Sequence, residues 1–235
     1  MKQNKRPPAF GEIEKFNDQA DQWWDLNGCM KSLHDINPLR LAYILHQTEL
    51  SGKKVLDAGC GGGILTEAVA RQGAYTVGVD ASERLIRTAR THAAESGLDI
   101  RYLTGEIEEA KEFTDEKFDV ILAMELIEHV PDYPSVIREC AGLLKPDGIM
   151  IFATINRNFL SFLLAVVCAE YILGLLPRGT HEYRSLIKPS ELEHACRRAG
   201  LRKKDTTGFS YNPATGTYYF CKNTWVNYMA AFSRE

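Results

Sequence analysis

The stretch MELIEHV spaces Glu125, Glu128 and His129 at i, i+3 and i+4. On a helical turn that spacing puts all three side chains on one face. Such a set can do two kinds of chemistry. An imidazole oriented by a carboxylate is a general base. Two carboxylates and an imidazole can instead hold Mg²⁺, which binds oxygen and acidifies a hydroxyl that coordinates it. A plainer reading is an acidic first helical turn favoured by the macrodipole. The residues alone leave all three open.

A second cluster, VLDAGCGGG, holds Gly59, Gly61, Gly62 and Gly63 at the end of a short apolar run. At a strand-to-helix turn, glycines let the backbone approach a ligand beyond the carboxyl ends of a parallel sheet. A nicotinamide dinucleotide, an adenosyl ligand and a mere tight turn all fit that much. Two details favour a ligand with a cationic end. The dinucleotide pattern G-x-G-x-x-G wants a third glycine where this chain has Ile64. Asp57, two residues before Gly59, disfavours a pyrophosphate but suits the cationic methionine end of S-adenosylmethionine. Asp80 lies 21 residues after Gly59 and can accept both hydroxyls of an adenosine ribose, a feature that dinucleotide sites share.

The elements that must position these residues follow from apolar periodicity. EIEKFNDQADQWWDL places Ile13, Phe16, Ala20 and Trp23 at helical spacing, and INPLRLAYILHQTEL reads as a second helix with Pro38 near its first turn. Then KKVLDA, YTVGVD, IRYLTG, FDVILAM and IMIFATI read as strands. Between them ILTEAVARQG and ERLIRTARTHAAESG read as helices stopped by Gly73 and Gly97, and PSVIRECAGLLKPDG as a further helix. That alternation predicts an α/β fold, a doubly wound, mostly parallel sheet with helices on both faces. After Ile155 the rhythm breaks. KPSELEHACRRAG follows as a helix whose Ser190 and Glu193 suit a capping box, and TYYFCKNTWVNYMAAFSR reads as one or two closing strands. We expect a single domain over 1–235, with an N-terminal helical lid over 10–50 and an apolar insertion over 157–188. Trp23 and Trp24 are expected to anchor that lid by packing rather than to stack on a ligand.

Composition narrows the function classes. The 235 residues suffice for one large α/β core, and the net charge of −3 carries no basic field for nucleic acid. The six cysteines (Cys29, Cys60, Cys140, Cys168, Cys196 and Cys221) are dispersed, with no C-x-x-C pair. That spacing argues against a zinc site or disulfide framework and for a reducing, cytoplasmic setting. The basic start MKQNKRPPAF has no apolar signal-peptide core behind it.

VLDAGCGGG, VGVD, TGEIEE, FDVILAMELIEHV and LLKPDG, in this order and spacing, resemble the motif series of the class I S-adenosylmethionine-dependent methyltransferases. That resemblance implies a Rossmann-like, seven-stranded sheet whose last strand is antiparallel, with S-adenosylmethionine across the ends of strands one to four. KFNDQADQWWDLNG, LHDINPLRLAYI, LDAGCGGGIL, INRNFLSFLLAVVCAEYIL, LPRGTHEYRSLIKPSEL and TGFSYNP extend it. They resemble the ubiquinone-biosynthesis O-methyltransferase family along almost the whole chain, while CKNTWVNYM departs somewhat from its pattern. The resemblance implies cofactor contacts at Arg40, Gly59, Asp80 and Met124, with Arg40 on the methionine carboxylate and Met124 near the adenine or sulfonium. Asp57, Gly61, Ala81, Glu106 and Ile107 complete the expected cofactor set. It also implies methylation of catechol hydroxyls on polyprenylated quinone precursors, at both O-methylation steps. A phenol titrates near ~10, so such a reaction gains from His129 as base or from Mg²⁺ held by Glu125, Glu128 and His129, a trio reported as metal-binding in some members.

One stretch, NFLSFLLAVVCAEYILGLLP, carries Glu170 as its only charge between Phe159 and Leu176. A single crossing is excluded by chain order, because the strands before and after the stretch must share one sheet. A buried core helix is one reading. A membrane-contacting insertion is the other, with Arg157, Arg178, Arg184 and Lys188 placed for anionic headgroups. We expect the second: residues 159–176 dip into one face of the inner membrane, and the protein is cytoplasmic and peripherally bound there. GTHEYRSLIKP, with His181, Tyr183 and Lys188, is either a lid over the acceptor or an ordinary connection. The expected partners are a polyprenylated catechol or quinol, the membrane surface and other ubiquinone-biosynthesis proteins. The competing functions are O-methylation of another small phenolic or lipid acceptor, and non-catalytic binding of a quinone or lipid. The intact Asp57–Gly63 loop argues against the last.

Overall fold

The computed structural model describes residues 14, 16–109, 114–161 and 185–234. A short 3-10 turn, Ala20–Gln22, precedes the first long helix, α1 (Lys31–Gln47). Then β1 (Lys54–Ala58), α2 (Ile64–Ala70), β2 (Tyr75–Asp80), α3 (Glu83–Glu95), β3 (Arg101–Thr104) and β4 (Phe118–Met124) alternate as expected. The chain continues through α4 (Tyr133–Leu143), β5 (Leu144–Ile155), α5 (Pro189–Arg198), β6 (Leu201–Asn212), β7 (Thr217–Cys221) and β8 (Asn227–Arg234).

The strands form one sheet in the order β3-β2-β1-β4-β5-β8-β6-β7. Neighbours from β3 to β5 pair in parallel, while β8 runs antiparallel to both β5 and β6, and β7 runs antiparallel to β6. The mostly parallel, doubly wound sheet is therefore present, with one strand more than the expected seven. The segment TYYFCKNTWVNYMAAFSR supplies two closing strands, β7 and β8, and β7 is the outer arm of an edge hairpin that pairs Gly208–Asn212 with Thr217–Cys221. Its partner β6 is illegible by alternation, because it opens with Arg202, Lys203, Lys204 and Asp205 and buries only Leu201, Gly208 and Phe209.

Both faces of the central strands are apolar, as a sheet covered on two sides requires. Leu56, Ile121, Phe152 and Phe232 pack with Ile137 and Cys140 of α4 and with Leu192 and Cys196 of α5. Val55, Val120, Leu122 and Ile151 pack on the opposite face with Tyr43 and Ile44 of α1 and with Leu65 and Val69 of α2. Local caps set the helix starts. The Ser82 hydroxyl accepts from Leu85 N–H at 3.0 Å, and Gly73 and Gly97 end their segments at φ of +83° and +66°.

Two boundaries differ from expectation. Helix α1 begins at Lys31, so Pro38 lies well inside it rather than near its first turn. The missing N–H costs one intrahelical bond, and Ile36, Arg40, Tyr43 and Ile44 bury the helix deeply enough to hold it. In α5 the cap sits two residues earlier than expected. Lys188 N–H donates to Glu191 Oε2 at 3.1 Å, while Glu193 pairs with Lys203 at 2.7 Å across the surface. No described helix is long and apolar enough to cross a membrane. The apolar stretch, apart from residues 159–161, lies outside the described residues, as do His181, Tyr183, Arg178, Arg184 and the start of the N-terminal helix at Ile13.

Candidate active site

Because β3, β2, β1 and β4 are parallel neighbours, their carboxyl ends open on one edge of the sheet. At that edge lie the glycine loop after β1, Asp80 at the end of β2, Glu106 and Ile107 after β3, and Met124 at the end of β4. Ala81 follows Asp80 directly. Ile107 and Met124 are buried, and Glu106 is exposed. The sheet topology thus brings together the residues expected to hold a cofactor.

The loop is fixed by its own hydrogen bonds. Gly59 and Cys60 N–H donate to Val79 C=O at 2.8 and 3.0 Å, and Gly63 N–H donates to Cys60 C=O at 3.0 Å. Gly61 N–H donates to Asp80 Oδ2 at 2.9 Å, and Ser82 N–H donates to Asp80 Oδ1 at 2.8 Å. Four loop N–H groups are already satisfied within the protein, so little of the backbone cradle that a pyrophosphate needs is left. Asp80 itself keeps acceptor capacity on both oxygens, since each carboxylate oxygen has a second lone pair. Burial pushes its carboxyl up, against the two backbone N–H groups that hold it down.

Asp57 is the deepest charged group at this edge. It is 2% exposed and accepts the Thr66 hydroxyl at 2.7 Å. Burial raises its pKa from the usual 3.8 to about 6, opposed by the Thr66 hydrogen bond and the positive charge of Arg40. The stability linked to this group is complete below pH ~4 and is lost as pH rises through about 6, because the folded state holds the proton more tightly. Asp57→Asn, which still accepts from Thr66, should therefore raise stability at pH 7 by on the order of 2 kcal/mol. Chemical denaturation at pH 7 and pH 4 checks this: the gain should vanish at the lower pH.

Arg40, on α1, is 6% exposed and pairs with the Glu125 carboxylate. Glu125 follows β4 with φ of +59°, so the segment after Met124 leaves the strand in a turn, not a helix. Glu125, Glu128 and His129 accordingly do not share a helical face. Glu125 turns to Arg40, Glu128 is 3% exposed, and His129 lies edge-on to Phe16 with ring centroids 5.4 Å apart. No group of three or more His, Cys, Asp or Glu side chains suited to a metal ion occurs among the described residues. The donor set expected for Mg²⁺ does not fit: one of its carboxylates is engaged with a guanidinium, and the turn removes the common face.

The N-terminal segment covers the loop. Trp23 lies so close to it that a Cβ on Gly62 would sit 2.2 Å from Trp23 Cδ1, and one on Gly61 would sit 2.6 Å from Cζ2. Trp24 Nε1–H donates to Gly62 C=O at 2.9 Å, and the Trp24 ring stacks on His92 at 3.4 Å and 4°. His92 Nδ1 meets the buried Glu67 carboxylate at 2.6 Å. The two tryptophans are thus packing anchors. His92, Glu67 and Thr66 enter the site region without any signal in the sequence, since each is an ordinary helix residue there. Gly62→Ala should push Trp23 off the loop, cost about 1–3 kcal/mol and red-shift the tryptophan emission. An unchanged spectrum and melting temperature would contradict the clamp.

Comparison with known proteins gives the family and the fold. A family model described as a methyltransferase domain matches residues 56–152. The chain is 50% identical over 223 residues to the ubiquinone biosynthesis O-methyltransferase of Neisseria meningitidis serogroup C, covering 94% of each chain. It is 51% identical over 224 residues to that of Thiobacillus denitrificans, covering 95% of this chain and 97% of the relative. Among solved structures, the magnesium protoporphyrin IX methyltransferase of Synechocystis with bound SAH is similar in fold. Its TM-score is 0.72 at 18% identity, over 97% of this chain and 100% of that one. With half its residues identical over almost its full length, the chain belongs to the ubiquinone biosynthesis O-methyltransferase family.

Proposed function

We propose that the chain transfers a methyl group from S-adenosylmethionine to a catechol hydroxyl of polyprenylated quinone precursors, at both O-methylation steps. The observation that carries this reading is the edge itself, where Arg40, Asp57 and Asp80 lie beside a loop whose glycines leave no room for a Cβ. The residues present fit the donor. Arg40 is a buried guanidinium whose Nε has no hydrogen-bond partner among the described residues, and its charge suits the carboxylate of the amino-acid end. The Asp57 carboxylate suits an ammonium, and Asp80 has acceptor capacity for the ribose hydroxyls.

When bound, S-adenosylmethionine supplies an electrophilic methyl on a sulfonium. The chain's own part is to hold the two reactants in line and to remove the phenolic proton. Holding is the task of Arg40, Asp57, Asp80, Met124 and the loop, with Ala81, Glu106 and Ile107 beside the nucleoside. Proton removal falls to His129, which sits on the turn after β4 at the same edge. Glu128, the buried neighbour of His129 on that turn, is the carboxylate that would orient the imidazole. The lid of residues 10–50 excludes water through Trp23 and Trp24. Turnover assays with catechols that carry or lack a prenyl tail test the reading. Methylation of tailed catechols is expected, and failure with every catechol would overturn it.

The acceptor's tail gives a reason for membrane contact, since a polyprenyl chain stays in the bilayer and the enzyme must reach its head. Residues 159–176, flanked by basic residues, are the contact. Wild type should float with anionic liposomes, and a folded variant lacking 159–176 should not. Wild type that stays in the soluble fraction would make the segment core. The same reading makes the protein peripheral on the inner membrane, beside other ubiquinone-biosynthesis proteins.

A further inference from the structure

The buried Arg40 has its carboxylate partner from within the chain. Glu125 reaches it from the turn after β4, its N–H fixed to Ala153 C=O at 2.8 Å and its φ at +59°. Side-chain-bearing residues adopt that backbone conformation at a cost, and such positions cluster where a site changes state. Two further groups stand close by. Burial raises the Asp57 carboxyl and the Arg40 charge partly offsets that rise, while Tyr218 on β7, raised mainly by burial, senses both Glu125 and Arg40. Around one guanidinium, then, stand one carboxylate that fits a ligand's ammonium and another that fills the place of a ligand's carboxylate.

We infer that Glu125 is an internal stand-in for the carboxylate of the donor's amino-acid end, held on Arg40 until that carboxylate displaces it. The inference rests on the assignment of S-adenosylmethionine to this edge. Arg40 has enough N–H groups to touch two carboxylates. However, Asp57 is already nearby, and three carboxylates around one guanidinium would leave uncompensated negative charge in a buried place. Exchange avoids that. Glu125 is also the first residue of the turn that carries Glu128 and His129, so its release resets the segment that faces the acceptor. Donor binding therefore precedes productive acceptor binding, and Glu125 acts as a positioning residue that couples the two.

An internal competitor lowers ligand affinity by the fraction of molecules in which Arg40 is available. Isothermal titration of the full chain with two ligands reads this directly. S-adenosylhomocysteine carries the amino-acid end, and 5′-methylthioadenosine lacks it. Glu125→Gln, which keeps size but loses the charge, should bind S-adenosylhomocysteine about tenfold more tightly than wild type and leave 5′-methylthioadenosine within about twofold. A gain below about threefold, a loss, or an equal gain for both ligands overturns the inference. Wild type that binds neither ligand overturns the donor assignment as well, which separates the two failures. If Glu125→Gln does not fold, a crystal structure of wild type with S-adenosylhomocysteine decides. There Glu125 should have left Arg40, and a persisting pair would overturn the exchange.

Discussion

His129→Ala is expected to lower kcat by about 10²–10⁴-fold, the usual contribution of a general base. Affinity for S-adenosylhomocysteine should stay within about twofold, because nothing assigns His129 to the donor. The imidazole is half-buried on the turn after β4, edge-on to Phe16, on the same sheet edge as the glycine loop and Asp80. Loss of the base should also flatten the acidic limb of the pH–rate profile. A variant with full activity and the wild-type profile would remove His129 from the reaction and leave proton removal to another group.

Asp80→Ala is expected to weaken S-adenosylhomocysteine binding by more than the loss of two ribose contacts alone. Removing the partner of buried hydroxyls costs about 1–3 kcal/mol. The same carboxylate also accepts Gly61 N–H and Ser82 N–H, so alanine leaves two backbone donors of the loop and of the start of α3 unpaired. The loop then loses its tie to β2, and the melting temperature should fall along with the affinity. Asp80→Asn is the informative companion. Its carbonyl oxygen can keep one of the two backbone donors, while its NH₂ group opposes the other. It should therefore retain more stability than alanine, yet lose most of the binding. Calorimetry and thermal melts on both variants check this, and wild-type affinity in Asp80→Ala would sink the ribose assignment.

The apolar runs at strand spacing, the glycine loop, and the carboxylates before it and 21 residues after it are local patterns that make the cofactor edge legible in the sequence. They are legible because a buried parallel strand must be apolar on both faces and a strand-to-helix turn must be short. The helical face drawn through Glu125, Glu128 and His129 was not local. Glu125 leaves β4 at φ +59° in a turn, not the expected helix, and pairs there with a charged partner on α1, 85 residues away in sequence. The eighth strand likewise needs the edge of an already formed sheet, because β6 and β7 bury few side chains and gain their order from pairing with β8 and with each other. The same holds for the grip of Trp23 and Trp24 on Gly62, and for the stacking of Trp24 on His92, which join segments far apart in the chain. The sequence by itself determined which residues line one end of the sheet, since periodicity and turn chemistry act over a few residues. Only the tertiary structure decided which of those residues touch, since ion pairs, ring stacks and edge pairing depend on where distant segments dock.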